Sequence, residues 1–141
     1  MTNLKEKFSK FAKKFFIKKP KVIIWGMKDE FLQIKDKLDQ EISKGNLKIL
    51  GFCCRKQDID LLEDEAEYPI YCKEDLDKLD FDFIVIANLG SYDQIKNEAL
   101  LAIESKQKKS SKFNARILSY KLFLKEDFDF IKYHTQDLKQ F

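Results

Sequence analysis

The chain has 141 residues, of which 44% are hydrophobic and 13% aromatic, which suits one globular domain and excludes a disordered chain. No apolar run approaches the ~18 residues of a membrane-spanning helix, and the three cysteines lack metal-ligand spacing, which favours a reduced, cytoplasmic protein. The net charge of +3 is uneven, because residues 1–20 hold seven lysines and one glutamate while the remainder is slightly acidic.

The first predicted element is a basic amphipathic helix within residues 1–20. Leu4, Phe8, Phe11 and Phe15 share one helical face, lysines flank them, and Pro20 ends the pattern. Residues 4–19 suit peripheral contact with an anionic membrane, which would hold the protein at the inner membrane surface. Docking on the rest of the chain, or on a second copy in a homodimer, is the stronger alternative. Nucleic acid is the least favoured partner, because the remaining domain is acidic.

Residues 21–141 alternate between short apolar runs and helix-period segments. This order predicts a three-layer, Rossmann-like α/β domain with a doubly wound, mainly parallel sheet. A lysine-rich mobile loop is expected at 105–112, on the opposite edge of the sheet from the ligand site. The predicted strands are 21–25, 47–53, 81–87 and 115–120, with an edge strand at Pro69-Ile70-Tyr71; the helices are 28–44, 73–79, 91–104 and a final one carrying Leu124, Phe128, Ile131 and Leu138.

The predicted ligand site lies where the strands end. Open α/β sheets bind ligands outside the carboxyl ends of their strands, at the switch point in strand order. Several residues there are cationic or begin a helix, which favours a phosphate-bearing ligand such as a nucleotide or nucleotide-sugar. For Gly26 a simple turn from strand to helix is the stronger alternative, and an ordinary helix cap is an equal one for the segment 88–91. The candidate binding residues are Gly26, Met27, Lys28, Arg55, Asn88, Ser91 and Lys121.

Other chemistry-bearing residues favour structural roles. Cys53 and Cys54 are adjacent in a strand, so they are expected to face opposite ways and to be buried. The acidic segment 58–67 matches no calcium-loop pattern. His134 is the only histidine, which excludes a histidine triad or a multi-histidine metal site. The sequence therefore predicts no catalytic residue and no metal site, and a stand-alone enzyme is the weakest hypothesis.

Five segments together resemble a known domain. They are Lys21-Val-Ile-Ile-Trp-Gly26, Leu50-Gly51-Phe52, Tyr68-Pro69-Ile70, Glu74-Asp75-Leu76 and Asp82-Phe-Ile-Val-Ile-Ala87. Over residues 21–120 they look like the Rossmann-type N-terminal domain of bacterial polysaccharide-biosynthesis proteins, which include sugar acyltransferases and nucleotide-sugar epimerases or dehydratases.

The resemblance implies nucleotide or nucleotide-sugar binding in surface-glycan metabolism. Two departures argue against nicotinamide binding: Met27 and Lys28 replace the glycines of the first turn, and Cys54 or Arg55 stands where a ribose-binding acid is expected. The sequence names no cofactor. Two hypotheses follow: a degenerate Rossmann-like domain that binds an anionic metabolite, and a non-catalytic interaction or regulatory module that has lost its ligand.

Overall fold

The computed structural model describes residues 19–26, 28–54, 68–128 and 131. A short 3₁₀ helix covers Lys73–Lys78. The strands are β1 (Lys21–Gly26), β2 (Lys48–Cys53), β3 (Ile70–Tyr71), β4 (Phe83–Ala87) and β5 (Arg116–Ser119), and the helices are α1 (Lys28–Ser43), α2 (Tyr92–Lys109) and α3 (Tyr120–Lys125).

The strands form one sheet in the order β3-β2-β1-β4-β5, and each neighbouring pair is parallel. Every residue of β4 is buried, which is typical of parallel strands covered on both faces. The two-residue β3 lies at an edge, as its short sequence predicted. The predicted α/β class and parallel sheet are therefore confirmed.

Alternate residues of β1 enter two different hydrophobic clusters. Val22 and Ile24 pack with side chains of α1 and α3, whereas Ile23 and Trp25 pack with the 3₁₀ helix and α2. Successive side chains of a strand point to opposite faces of the sheet. Alternate residues of β1 therefore pack against different helical segments, and the sheet holds much of the protein core.

Helix α1 ends where its sequence predicted. Gly45 adopts a φ of 76°, the left-handed conformation that glycine tolerates best. Its N–H donates to the carbonyl of Ile42, and the N–H of Asn46 donates to the carbonyl of Glu41. The Asn46 amide also donates to the buried Glu41 carboxylate at 2.7 Å, which satisfies a charge that would otherwise be costly to bury.

Lys37, in α1, forms hydrogen bonds with the end of α3. Its ammonium donates hydrogen bonds to the carbonyl oxygens of Phe123 and Glu126, at the end of α3. It also lies 4.9 Å from the centroid of the Phe123 ring. A cation at a helix C-terminus complements the unpaired carbonyl groups there. Burial lowers the pKa of Lys37 below its ordinary value, and nearby carboxylates partly oppose that shift.

The prediction of a mobile loop at 105–112 is wrong for residues 105–109, since α2 continues to Lys109. Lys106 explains the extension: its ammonium donates to the carbonyl of Asp77 at 3.1 Å and lies 4.7 Å from the centroid of the Phe113 ring. These contacts with distant segments, together with basic residues at the C-terminal end of the helix dipole, stabilise the last turns of α2.

The predicted final helix is interrupted, because residues 126 and 127 are not helical, whereas Phe128 and Ile131 after them are. Helix α3, before this break, begins at Tyr120, directly after β5, where the Ser119 hydroxyl accepts the N–H of Leu122 at 3.0 Å. Tyr120 and Phe123 therefore face the core, while Leu124, expected on the apolar face, is 40% exposed. Phe128 and Ile131 are buried as predicted. The predicted N-terminal helix, apart from Lys19 and Pro20, lies outside the described residues, as do the acidic segment 58–67, His134 and Leu138.

Candidate functional site

The candidate site is the edge of the sheet where the strands end, here called the carboxyl edge. The strand order reverses between β1 and β4, so the switch point lies where Gly26 pairs with Ala87. Ile86 pairs with Ser119 in the next strand. Four of the predicted binding residues (Gly26, Asn88, Ser91 and Lys121) follow or end these strands and share this edge. Lys28 begins α1 there, whereas Met27 and Arg55 lie outside the described residues.

Gly26 is required by the packing of β1 on β4. A Cβ atom at this position would lie 2.9 Å from the Cα of Ala87 and closer still to its carbonyl group. These are backbone atoms, which cannot move aside without separating the strands. Among the described glycines Gly45 alone has a positive φ, so Gly26 is not needed for a left-handed turn. Its small size therefore has a structural cause that is independent of any ligand.

Acidic side chains surround the start of α1. Asp29 and Glu30 occupy its first turn, and a Glu30 carboxylate oxygen accepts the N–H of Leu89 at 3.4 Å. Carboxylates at a helix N-terminus are stabilised by the helix dipole and compete with any other anion. The turn after β1 is consequently a poor place for a phosphate.

The turn after β4 is more open to a ligand. The Asn88 side-chain oxygen accepts the N–H of Ser91 at 3.0 Å, which shapes the chain before α2. Ser91 is the N-cap residue of α2, but its own hydroxyl does not cap the helix. Within the described residues, neither this hydroxyl nor the exposed ammonium of Lys121 has a hydrogen-bond or ion-pair partner. Leu89, two residues before Ser91 in this turn, is 60% exposed.

The first turns of α2 contain a pair that the sequence analysis missed, Tyr92 and Lys96 in a Tyr-x-x-x-Lys spacing. A tyrosine that acts as a general acid or base near neutral pH needs a lowered pKa. Burial, aided by the charge of Asp93, instead raises the pKa of Tyr92. Tyr92 packs against the cluster that contains Trp25, so this spacing serves the core.

The adjacent cysteines behave as predicted. Cys53 and Cys54 are both buried and belong to different hydrophobic clusters, hence to opposite faces of the sheet. Burial raises the pKa of the Cys53 thiol far above its ordinary value, and such a thiol is a poor nucleophile.

A cleft of about 360 Å³ opens at the opposite end of the sheet. It lies between the segment before β4 and the end of α2, and its lining includes Asp77, Lys106, Lys109, Lys112 and Phe113. The lysine-rich segment is therefore at the opposite edge from the candidate site, as its sequence position predicted. Lys109 forms an ion pair with Asp77 and so is not free for a ligand.

A family model described as C2185-like, N-terminal, matches residues 18–110, which is more than half of the chain. The chain belongs to this family. The matched part of the C2185-like domain runs from β1 through α2 and includes the switch point, Asn88 and Ser91. Lys121, in α3, lies beyond it. No curated protein matches the sequence significantly.

Two features are absent from the described residues of the chain. None of their helices is long and apolar enough to cross a membrane. The same residues contain no group of three or more histidine, cysteine, aspartate or glutamate side chains arranged to hold a metal ion.

Proposed function

We propose that the C2185-like domain is a three-layer, doubly wound Rossmann-like domain that binds a nucleotide, a nucleotide-sugar or another anionic metabolite at its carboxyl edge. Its parallel strand order, β3-β2-β1-β4-β5, agrees with the first five positions of the order 3-2-1-4-5-6 in dinucleotide-binding sheets. The observation that supports the proposal concerns the Ser91 hydroxyl and the Lys121 ammonium, which have no partner among the described residues. The two residues follow the neighbouring strands β4 and β5, so they lie at the same edge of the sheet.

The anionic group of the ligand would lie on the β4–β5 side of the switch point. Neighbouring strands are about 4.8 Å apart, so a lysine and a serine that follow them can reach one phosphate. The lysine supplies a point charge and the serine a hydrogen-bond donor. On the other side, Glu30 repels an anion, and its carboxylate suits a ligand hydroxyl better than a phosphate.

The proposal concerns binding and includes no reaction. Among the described residues, Cys53 and Tyr92 have pKa values raised by burial, so neither is prepared for nucleophilic or acid–base work near neutral pH. A place in bacterial surface-glycan metabolism is part of the proposal, and it rests on the sequence resemblance over residues 21–120.

A thermal-shift screen against nucleotide-sugars, NAD(P), coenzyme A, S-adenosylmethionine and simple nucleotides tests this function. A ligand at ~100 times its Kd adds about 2.7 kcal/mol to the free energy of unfolding. Lys121→Gln should weaken binding of the active compound about tenfold or more, because it removes a charged hydrogen-bond donor. Lys125→Gln removes another exposed lysine from the same helix and should leave the thermal shift unchanged. Equal shifts in both variants would contradict the site.

A second function is favoured by the contact between Glu30 and Leu89. If this carboxylate has replaced a ligand, the domain is a non-catalytic interaction or regulatory module. This alternative predicts that no compound in the screen raises the unfolding temperature of the wild-type protein. It also predicts none in Glu30→Gln, in which the repelling charge is gone and the fold is kept. A shift that appears in Glu30→Gln alone would instead show a ligand site blocked by that charge.

A further inference from the structure

The two edges of the sheet differ in charge. The edge where the strands begin, here called the amino edge, collects the residues before each strand and the C-terminal ends of α1 and α2. Cations outnumber carboxylates at this edge, whereas acidic residues occupy the first turns of α1 and α2 at the carboxyl edge. The cations of the amino edge are Lys19, Lys21, Lys44, Lys48, Lys78, Lys106, Lys108, Lys109, Lys112 and Arg116, and its carboxylates are Glu41, Asp77, Asp80 and Asp82.

Some of these lysines serve the fold and others do not. Lys106 and Lys109 bind Asp77, and Lys21 lies 3.8 Å from Asp80. By contrast, Lys78, Lys108 and Lys112 are exposed and make no hydrogen bond or ion pair with any described residue. Their charges are therefore available to a partner in solution.

The basic N-terminal segment joins the domain at the same edge. Pro20 directly precedes β1, and its carbonyl accepts the N–H of Lys48 at 2.9 Å. The Lys19 side chain lies over Gly45, at the turn after α1. Residues 1–20, with seven lysines and four phenylalanines, therefore connect to the domain beside its basic edge.

We propose that the amino edge binds an anionic lipid bilayer, and that the basic N-terminal segment, which joins the domain at this edge through Lys19 and Pro20, adds its lysines and phenylalanines to the contact. Phenylalanines at helical spacing among lysines suit insertion at a bilayer interface, and a nucleic acid would not use a continuous apolar face of this kind. Stable membrane attachment generally needs two signals, and the exposed lysines of the folded domain supply the second. In this orientation the carboxyl edge faces away from the bilayer and stays open to a ligand.

Cosedimentation of the full chain with vesicles tests the surface. Binding to phosphatidylcholine vesicles containing phosphatidylglycerol should exceed binding to pure phosphatidylcholine and should weaken with added salt. Each lysine near an anionic surface contributes about fivefold in affinity, so the triple variant Lys78→Gln, Lys108→Gln, Lys112→Gln should lose about a hundredfold. The matched control, Lys73→Gln, Lys96→Gln, Lys125→Gln, removes the same charge nearer the carboxyl edge and should bind as the wild type does. Circular dichroism confirms that both variants are folded.

Three outcomes would overturn the proposal. The first is wild-type vesicle binding by the amino-edge variant, which would leave residues 1–20 as the sole contact. The second is equal weakening in both triple variants, which would show a response to net charge without an oriented surface. The third is the absence of vesicle binding. If the same lysines were then needed to bind a single-stranded or duplex oligonucleotide, the basic surface would be a nucleic-acid site.

Discussion

Replacing Gly26 with alanine should lower the free energy of unfolding by about 3–4 kcal/mol. The added Cβ would lie 2.9 Å from the Cα of Ala87 and nearer to its carbonyl group, well inside ordinary van der Waals contact. Both partners are backbone at the centre of the sheet, where β1 and β4 pair in register from Val22 to Gly26. The clash can be relieved only by moving these two strands apart.

The magnitude follows from two costs. Overpacking a well-filled core typically costs 1–3 kcal/mol, and this position is at the severe end because no side chain can move aside. Separation of the strand ends also weakens one or more ladder hydrogen bonds, each contributing about 1 kcal/mol. Against a typical total of 5–15 kcal/mol, the variant should fold but unfold at clearly lower urea concentration.

Urea denaturation of Gly26→Ala and Gly90→Ala provides the measurement and its control. A Cβ at Gly90 would have only the Asn88 side-chain oxygen nearby, at 3.9 Å, and its φ is not positive. Gly90→Ala should therefore be neutral or stabilising by up to about 1 kcal/mol. A loss below about 1 kcal/mol in Gly26→Ala would refute the packing argument. If that variant kept its stability but lost a ligand, Gly26 would belong to the binding site.

Three further variants probe other contacts. Lys37→Met should lower the free energy of unfolding in urea by about 2–3 kcal/mol, because the carbonyl groups at the end of α3 lose a charged donor. The control Lys35→Met, on the same helix, should change it by less than about 0.5 kcal/mol. Gly45→Ala should lower the free energy of unfolding by about 1–2 kcal/mol, because a φ of 76° is strained for a residue with a side chain. A smaller loss, measured by thermal unfolding, would contradict that conformation. At pH 8, iodoacetamide should label Cys72 before Cys53 in the native protein, as mass spectrometry of peptides would show. Because burial raises the pKa of Cys53 above the ordinary 9.0, its contribution to stability is complete below pH 9 and should fall as the pH rises further.

Features that depend on local pattern could be predicted from the sequence. Buried strands read as short apolar runs, and α1 shows its inward face through Phe31, Ile34 and Leu38, all buried in the structure. The stop at Gly45 follows from the same local logic, since glycine alone takes a left-handed φ without strain. The opposite orientations of Cys53 and Cys54 follow from the two-residue period of a strand.

Tertiary structure decided the features that join segments distant in sequence. The sequence offered Gly26 as a candidate binding residue, with a simple turn from strand to helix as the stronger alternative. Its close approach to Ala87 exists only once β1 and β4 pair. The end of α2 depends on contacts of Lys106 with Asp77 and Phe113, which no helical period records. The candidate residues Gly26, Asn88 and Lys121 share one edge because each lies at or just after the end of a parallel strand, whereas the contact between Glu30 and Leu89 arises only in the folded sheet. Periodicity specifies which face of an element is buried, and only packing specifies which atoms meet there.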